Sequence, residues 1–120
     1  MKVSGRQIDA FVRAPGDEIR TALLYGPDEG AIRERALALV TAIAEDPRDP
    51  FRVVELTAAQ IEQDNALLRD EAAAISMMGG RRAIRVRDAS DRLGRIFSEF
   101  LDDPPSDALV VVFVRKKPVI

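Results

Sequence analysis

Ala108-Leu109-Val110-Val111-Val112-Phe113-Val114 is an unbroken run of seven apolar residues. A strand with one wet face alternates apolar and polar side chains. A strand covered on both faces has no reason to, and reads as a continuous apolar run. The run therefore predicts a strand inside a sheet that carries helices on both sides. Just before it, Leu93, Ile96, Phe97, Phe100 and Leu101 recur at helical spacing and form the clearest apolar stripe of the chain. Ser90 is placed to cap that helix, and Asp102-Asp103-Pro104-Pro105 stops it. Upstream again, Arg82-Ala83-Ile84-Arg85-Val86-Arg87 alternates. Ile84 and Val86 fall on one face and Arg85 and Arg87 on the other, which predicts a strand wet on one side or near an edge.

The earlier half repeats the same grammar. Thr21-Ala22-Leu23-Leu24-Tyr25 is a short apolar run closed by Gly26-Pro27, as a buried strand would be. Asp28 is a natural N-cap for the helix after it. Ile32, Ala36, Leu39, Val40 and Ile43 make one face of that helix, and Pro47 and Pro50 end it. Phe51 to Leu56 predicts a second strand. Thr57-Ala58-Ala59-Gln60 has capping-box spacing and starts a short helical turn. Asp64 or Asn65 is positioned to cap a helix through Leu67, Leu68, Ala72 and Ile75. Before all of this, Gln7 to Val12 predicts a helix packed on the outside of the domain, broken at Ala14-Pro15-Gly16-Asp17. The order β-α-β-α-β-α-β gives the fold class: α/β, a mostly parallel sheet flanked by helices. The tail, Arg115 to Ile120, is the one linker-like piece.

Composition bounds the chemistry. A chain of 120 residues, 47% apolar and 32% charged, is the size and balance of one globular domain. The net charge is −2, so no global field points to nucleic acid. There is no Cys, which excludes a disulfide framework and a thiolate metal site. There is no His, which removes the commonest general base and metal ligand. Neither a signal-like N-terminus nor a membrane-length apolar run is present, and a cytoplasmic location is the expectation.

The first strand–turn–helix is where a nucleotide-binding α/β protein holds phosphate. Tested against G-x-x-x-x-G-K-[ST], the register starting at Gly26 puts Ala31 at the second Gly, Ile32 at the Lys and Arg33 at the Ser/Thr. Pro27 offers no amide donor, and Asp28 and Glu29 repel phosphate. The loop has the right place and the wrong chemistry; no cofactor is expected. Asp102-Asp103, with Asp88, Asp91 and Glu99 nearby, reads as a solvated helix stop rather than an acid–base pair or metal site. Arg81, Arg82, Arg85, Arg87, Arg92 and Arg95 form a basic cluster with only Asp88 and Asp91 among them. A strand face with ordinary ion pairs is preferred over a phosphate-backbone or acidic-partner contact.

The stretch that resists a purely structural reading is Ile75-Ser76-Met77-Met78-Gly79-Gly80-Arg81-Arg82. It joins a helix to a strand. Two consecutive residues do not share a face of either element, so at least one of Met77 and Met78 is expected to project at the helix–strand corner. Methionine serves adaptable binding surfaces as well as cores. The plainer alternative is that the pair plugs the end of the domain core.

This corner, together with Leu23–Gly26 leading into a helix that opens at Asp28, the absence of a P-loop lysine, and an all-apolar last strand, resembles the N-terminal domain of the delta subunit of the bacterial DNA polymerase III clamp loader. The resemblance runs from about Gly5 to Val114. It implies an AAA+-like P-loop α/β fold that has lost ATP binding. It implies a non-catalytic role in DNA replication: binding the sliding clamp and helping to open the ring. By the resemblance, an apolar pair following a Ser inserts into a hydrophobic pocket of the clamp. Met77 and Met78 match that pair, Ser76, Gly79 and Gly80 position it, and Arg81 and Arg82 face acidic groups on the clamp rim. Other members often carry Leu and Phe where this chain has Met-Met. Partners implied are the clamp (beta subunit), the other loader subunits, and DNA through the assembled loader; none is a membrane. Family chains are longer, with lid and collar domains and a fifth strand beside the first. Residues 1–120 are therefore expected to be one clamp-binding domain, a fragment with an incomplete sheet and a free edge prone to self-association. The competing reading is a nucleotide-binding P-loop-type kinase or ATPase domain, against which Ile32 and Arg33 speak. A receiver-like regulatory domain is a weaker third, resting on Asp28 alone.

Overall fold

The computed structural model describes residues 3, 7–74 and 80–114. Four strands form one parallel sheet: β1 (Thr21–Leu24), β2 (Val53–Thr57), β3 (Ala83–Ala89) and β4 (Leu109–Val114), in the order β1-β4-β3-β2. Helices α1 (Gln7–Arg13) and α2 (Glu29–Ala44) cover one face. Helices α3 (Ala58–Gln63), α4 (Leu67–Ala73) and α5 (Gly94–Asp102), with a 3₁₀ turn at Asp91–Leu93, cover the other.

The seven-residue run explains its own place. β4 lies between β1 and β3, and both of its faces are covered. Leu109 and Val111 enter the layer under α1 and α2, against Ala36, Leu39, Val40 and Ile43. Val110 and Val112 enter the opposite layer, against Ile61, Leu68, Leu93 and Phe100. A parallel sheet buried in this way needs apolar side chains at successive positions, not alternate ones.

Capping follows the sequence closely at two helices. Asp28 precedes α2 with extended backbone, and its carboxylate accepts from Ala31 N–H at 3.1 Å. At α3, Thr57 Oγ1 accepts from Gln60 N–H at 3.2 Å, and Gln60 Oε1 accepts from Thr57 N–H at 2.9 Å. The expected box is therefore complete. Two other expectations shift. Asp64 does not cap α4; its carboxylate accepts from Ala66 N–H in a tight turn, and α4 starts one residue later with no side-chain cap. Ser90 holds the 3₁₀ turn through Arg92 N–H, and α5 begins uncapped at Gly94. In both cases a short polar side chain closes its own local turn in preference to the helix behind it.

β3 corrects one alternative. It is an interior strand between β2 and β4, not an edge. Its two arginines are accommodated on the α2 face. Arg85 stacks over Phe113 at 5.3 Å from the ring centroid, and Arg87 pairs with Glu55 on β2 at 3.0 Å. A register shift between Val86 and Ala89 bulges the strand, and Asp88 there takes φ +60. Among the described residues β1 and β2 each have a single sheet neighbour; at the β1 edge Leu23, and Tyr25 just past the strand, are more than half exposed.

Candidate functional site

Ile75, Ser76, Met77, Met78 and Gly79 lie outside the described residues. The two ends of the corner that carries them are described, and both are fastened. On the incoming side α4 ends at Ala73, and Ala74 turns to extended backbone while its N–H still bonds Asp70 O at 3.1 Å. Ser106, in the loop before β4, donates its hydroxyl to Ala72 O at 2.5 Å. The Arg82 guanidinium donates to Glu71 O, and its second nitrogen lies 3.5 Å from the Glu71 carboxylate. The Arg82 guanidinium and the Ser106 hydroxyl thus reach carbonyls of the last turn of α4, where cationic and hydroxyl donors are favoured; Glu71 O also accepts from Ala74 N–H at 3.3 Å.

On the outgoing side Gly80 takes φ +89, a conformation that glycine adopts without steric cost. A Cβ on Gly80 would sit 3.0 Å from the Arg52 guanidinium, so a larger residue here would press on the end of that side chain as well as strain the backbone. Arg81 follows. Its guanidinium donates to Asp107 O at 2.5 Å, to Gly16 O at 3.1 Å and to Ile19 O. It thereby joins the loops that feed β1 and β4 to the loop that feeds β3. Burial and the nearby Arg20 lower its pKa from the usual arginine value, while Asp107, Asp17 and Glu18 act the other way. Arg82 donates through Nε to Phe51 O at 3.3 Å, at the foot of β2.

Of the expected site residues, Gly80, Arg81 and Arg82 are described, and the arginines point their donors at this chain's own carbonyls. They are built into the base of the sheet, with the Arg82 side chain only 10% exposed. Three residues the sequence reading missed belong to the same construction: Arg52, Glu71 and Ser106. Arg52 precedes β2 and donates to Ile43 O at 2.6 Å, Ala44 O at 3.1 Å and Arg81 O at 3.3 Å. No local pattern reports such contacts, because the partners are distant in sequence.

The place of a P-loop is also resolved. Gly26 turns at φ +143, Pro27 has no N–H, and the Ala31 amide, which would face a phosphate, is already bonded to the Asp28 carboxylate. An acidic side chain at this helix N-terminus disfavours an anion there, by repulsion and by occupying the Ala31 donor. The six-arginine cluster does not form one patch. Arg81 and Arg82 lie at the N-terminal ends of the strands, Arg85 and Arg87 on the α2 face, and Arg95 on α5, where it pairs with Glu99 at 3.1 Å. Asp103 pairs with Arg69 at 3.1 Å on the surface. Among the described residues no group of three or more acidic side chains is arranged to hold a metal ion. No helix of these residues is long and apolar enough to cross a membrane.

Searches against protein-family models and curated proteins find no match. Among solved structures, the chain is similar to a DNA polymerase III gamma subunit-related protein from Thermotoga maritima. The TM-score is 0.65 at 21% sequence identity, over 91% of this chain. The chain spans 39% of the length of that protein. At this level of identity the likeness is one of fold: a four-stranded parallel α/β sheet, flanked by helices, of the kind found in that protein.

Proposed function

We propose that this domain is a non-catalytic, clamp-loader-type module of DNA replication that binds a sliding clamp through Met77 and Met78. The observation that carries the reading is the corner itself. An apolar pair, preceded by Ser76 and followed by Gly79-Gly80, is strung between two fastened ends, Ala74 and Arg81. Fastened flanks reduce the entropy lost on binding, so the anchors between them can be few. A few apolar side chains in a partner's pocket can then dominate an interface. Each fully buried Met contributes roughly 1.5–3 kcal/mol. The Thermotoga fold likeness supports the clamp-loader setting, and the blocked α2 N-terminus supports a subunit that does not itself use ATP.

In this reading Ser76, Gly79 and Gly80 shape the loop. Arg81 and Arg82 serve it mainly by holding its base, with any contact to acidic groups of the clamp rim left to their remaining N–H donors. Ring opening follows only if the domain binds the open ring more tightly than the closed one. The remaining loader subunits, and DNA through them, are partners of the complete assembly. The delta-type subunit is the closest functional description of these features.

The test is co-migration of the domain with its cognate clamp in size-exclusion chromatography, followed by fluorescence-anisotropy titration of the labelled domain. Saturable binding that is weakened by Met77→Ala or Met78→Ala supports the proposal. A well-folded domain that does not bind the clamp overturns it. The nucleotide-binding alternative has its own readout: saturable uptake of ATP with magnesium in calorimetry.

A further inference from the structure

Among the described residues the sheet has two edges, and they are finished differently. At the β2 edge Glu55 stands within the strand and pairs with Arg87 at 3.0 Å, so a charge guards the exposed backbone. β1, the other edge, has no charged residue from Thr21 to Tyr25. Ala22 and Leu24 enter the layer under α1 and α2, so alternation puts Thr21 and Leu23 on the α5 face. Tyr25 follows at the next alternate position, just past the strand. Leu23, Tyr25 and Leu101 of α5 are each at least half exposed, and with Phe97 they line one groove. The other large apolar side chains exposed to that extent among the described residues, Leu37 and Phe51, lie elsewhere, on α2 and at the foot of β2. Arg35, the charged residue along the groove, belongs to α2 on the opposite face.

We infer that this edge is an interface for a second copy of the chain: two β1 strands pair antiparallel across a dyad at Leu23 and join two sheets into one. The inference does not depend on the clamp-binding proposal. A dyad perpendicular to the sheet keeps both α5 faces on one side, and it brings residues of the same face opposite one another. Centred on Leu23, it sets Leu23 against the partner's Leu23 and Thr21 against the partner's Tyr25. Phe97 and Leu101 of both copies then close over the seam from the same side. Centred on Ala22 instead, it sets the Arg20 cation against the partner's Leu24 and leaves the partner's Tyr25 opposite Ile19. The stripe is matched to itself in the first register, and an isologous contact requires such a match. Apolar pairs directly across the seam supply the stabilisation. A four-residue strand and one apolar cluster from each copy make a small seam, at the low end of specific interfaces, about 1,200 Å² in total. A dissociation constant on the order of tens of micromolar follows from so small a contact.

The experiment uses the whole chain. Sedimentation velocity is run on the wild type from about 5 to 500 µM, with circular dichroism on every variant. The expected result is a monomer–dimer equilibrium that goes no further, since a dyad contact uses up its own edge. Leu23→Lys is expected to weaken it at least about tenfold, and Leu37→Lys, away from the edge, to leave it unchanged. Leu23→Cys reads the register, because the chain has no cysteine of its own. Residues directly opposite across antiparallel strands have Cα atoms about 4.5–5.5 Å apart, within the span of a disulfide. Leu23→Cys is therefore expected to give a covalent dimer under copper–phenanthroline oxidation. Tyr25→Cys, two residues from the dyad on each copy, is expected to give none. A chain that stays monomeric throughout that range overturns the inference and shows the edge to be covered or taken by another occupant. So does a folded Leu23→Lys that associates like wild type, or a Tyr25→Cys that crosslinks as readily as Leu23→Cys. Growth beyond a dimer overturns it too, since that needs a second contact.

Discussion

Replacing Arg81 by Met separates a residue built into the base of the sheet from one that only meets a partner. The substitution keeps most of the aliphatic stem and removes the guanidinium. Three carbonyls lose their donor: Asp107 O and Gly16 O at exposed positions, and Ile19 O in a partly buried one. Water replaces the donor at the first two, so each is worth a few tenths of a kcal/mol. The bond to Ile19 O is less easily replaced, and a bond from a charged donor contributes roughly 1.5–3 kcal/mol net. Against this, removing the cation relieves its repulsion with Arg20 and its desolvation, the two causes that lower its pKa. The balance is a loss of about 1.5–2 kcal/mol. Urea unfolding followed by circular dichroism should show a lower midpoint with an unchanged slope. The thermal midpoint should fall by about 6–8 °C, taking roughly 4 °C per kcal/mol for a domain of this size. Arg81→Lys should behave nearly as badly, since one ammonium cannot serve three divergent carbonyls. A midpoint unchanged within about 0.5 kcal/mol, with clamp affinity lost, would refute the reasoning. Arg81 would then be a surface contact whose internal bonds carry no weight.

Other outcomes follow from other parts of the fold. Leu39→Ala, at a fully buried position between α2 and the sheet, should cost about 2–5 kcal/mol in the same denaturation assay. Asp28→Ala should cost about 1 kcal/mol by removing the cap on Ala31 N–H. It should still show no saturable ATP binding in calorimetry, since no lysine is supplied. The open edge of β1, with Leu23 56% exposed and Leu101 50% exposed, should give concentration-dependent self-association in sedimentation velocity. Leu23→Lys should suppress it, as a charge on an edge strand does.

What was legible in the sequence, and what was not, divides by range of interaction. The β4 run, the α2 face and the Thr57 capping box depend on neighbours within a few positions, and each stands in the structure where its pattern put it. The parallel order followed from alternation of strand and helix, because parallel neighbours need a crossover between them. β3 was harder. Arg85 and Arg87 alternate as they would on a wet edge. What keeps them inside the sheet is Phe113 on the strand beside them and Glu55 on the other, and neither is visible locally. Asp64 and Ser90 were misassigned for the opposite reason, since each had two local uses and took the nearer. At the corner, Gly80 could be read from chain punctuation alone. Its partner Arg52 could not, because an arginine beside a strand carries no signal of which carbonyls it will reach. The same limit turned Arg81 and Arg82 into expected partner contacts, when their donors are directed to Gly16, Ile19, Phe51, Glu71 and Asp107 of their own chain.

Met77 and Met78 are the proposed clamp anchor, and their role is open to direct measurement. It is tested most directly by surface plasmon resonance of the cognate sliding clamp over immobilised domain, wild type against Met77→Ser/Met78→Ser, with circular dichroism on both. The wild type is expected to bind, and the double variant, equally folded, to lose at least a hundredfold in affinity, roughly 2.7 kcal/mol. Equal binding by the two proteins would contradict it.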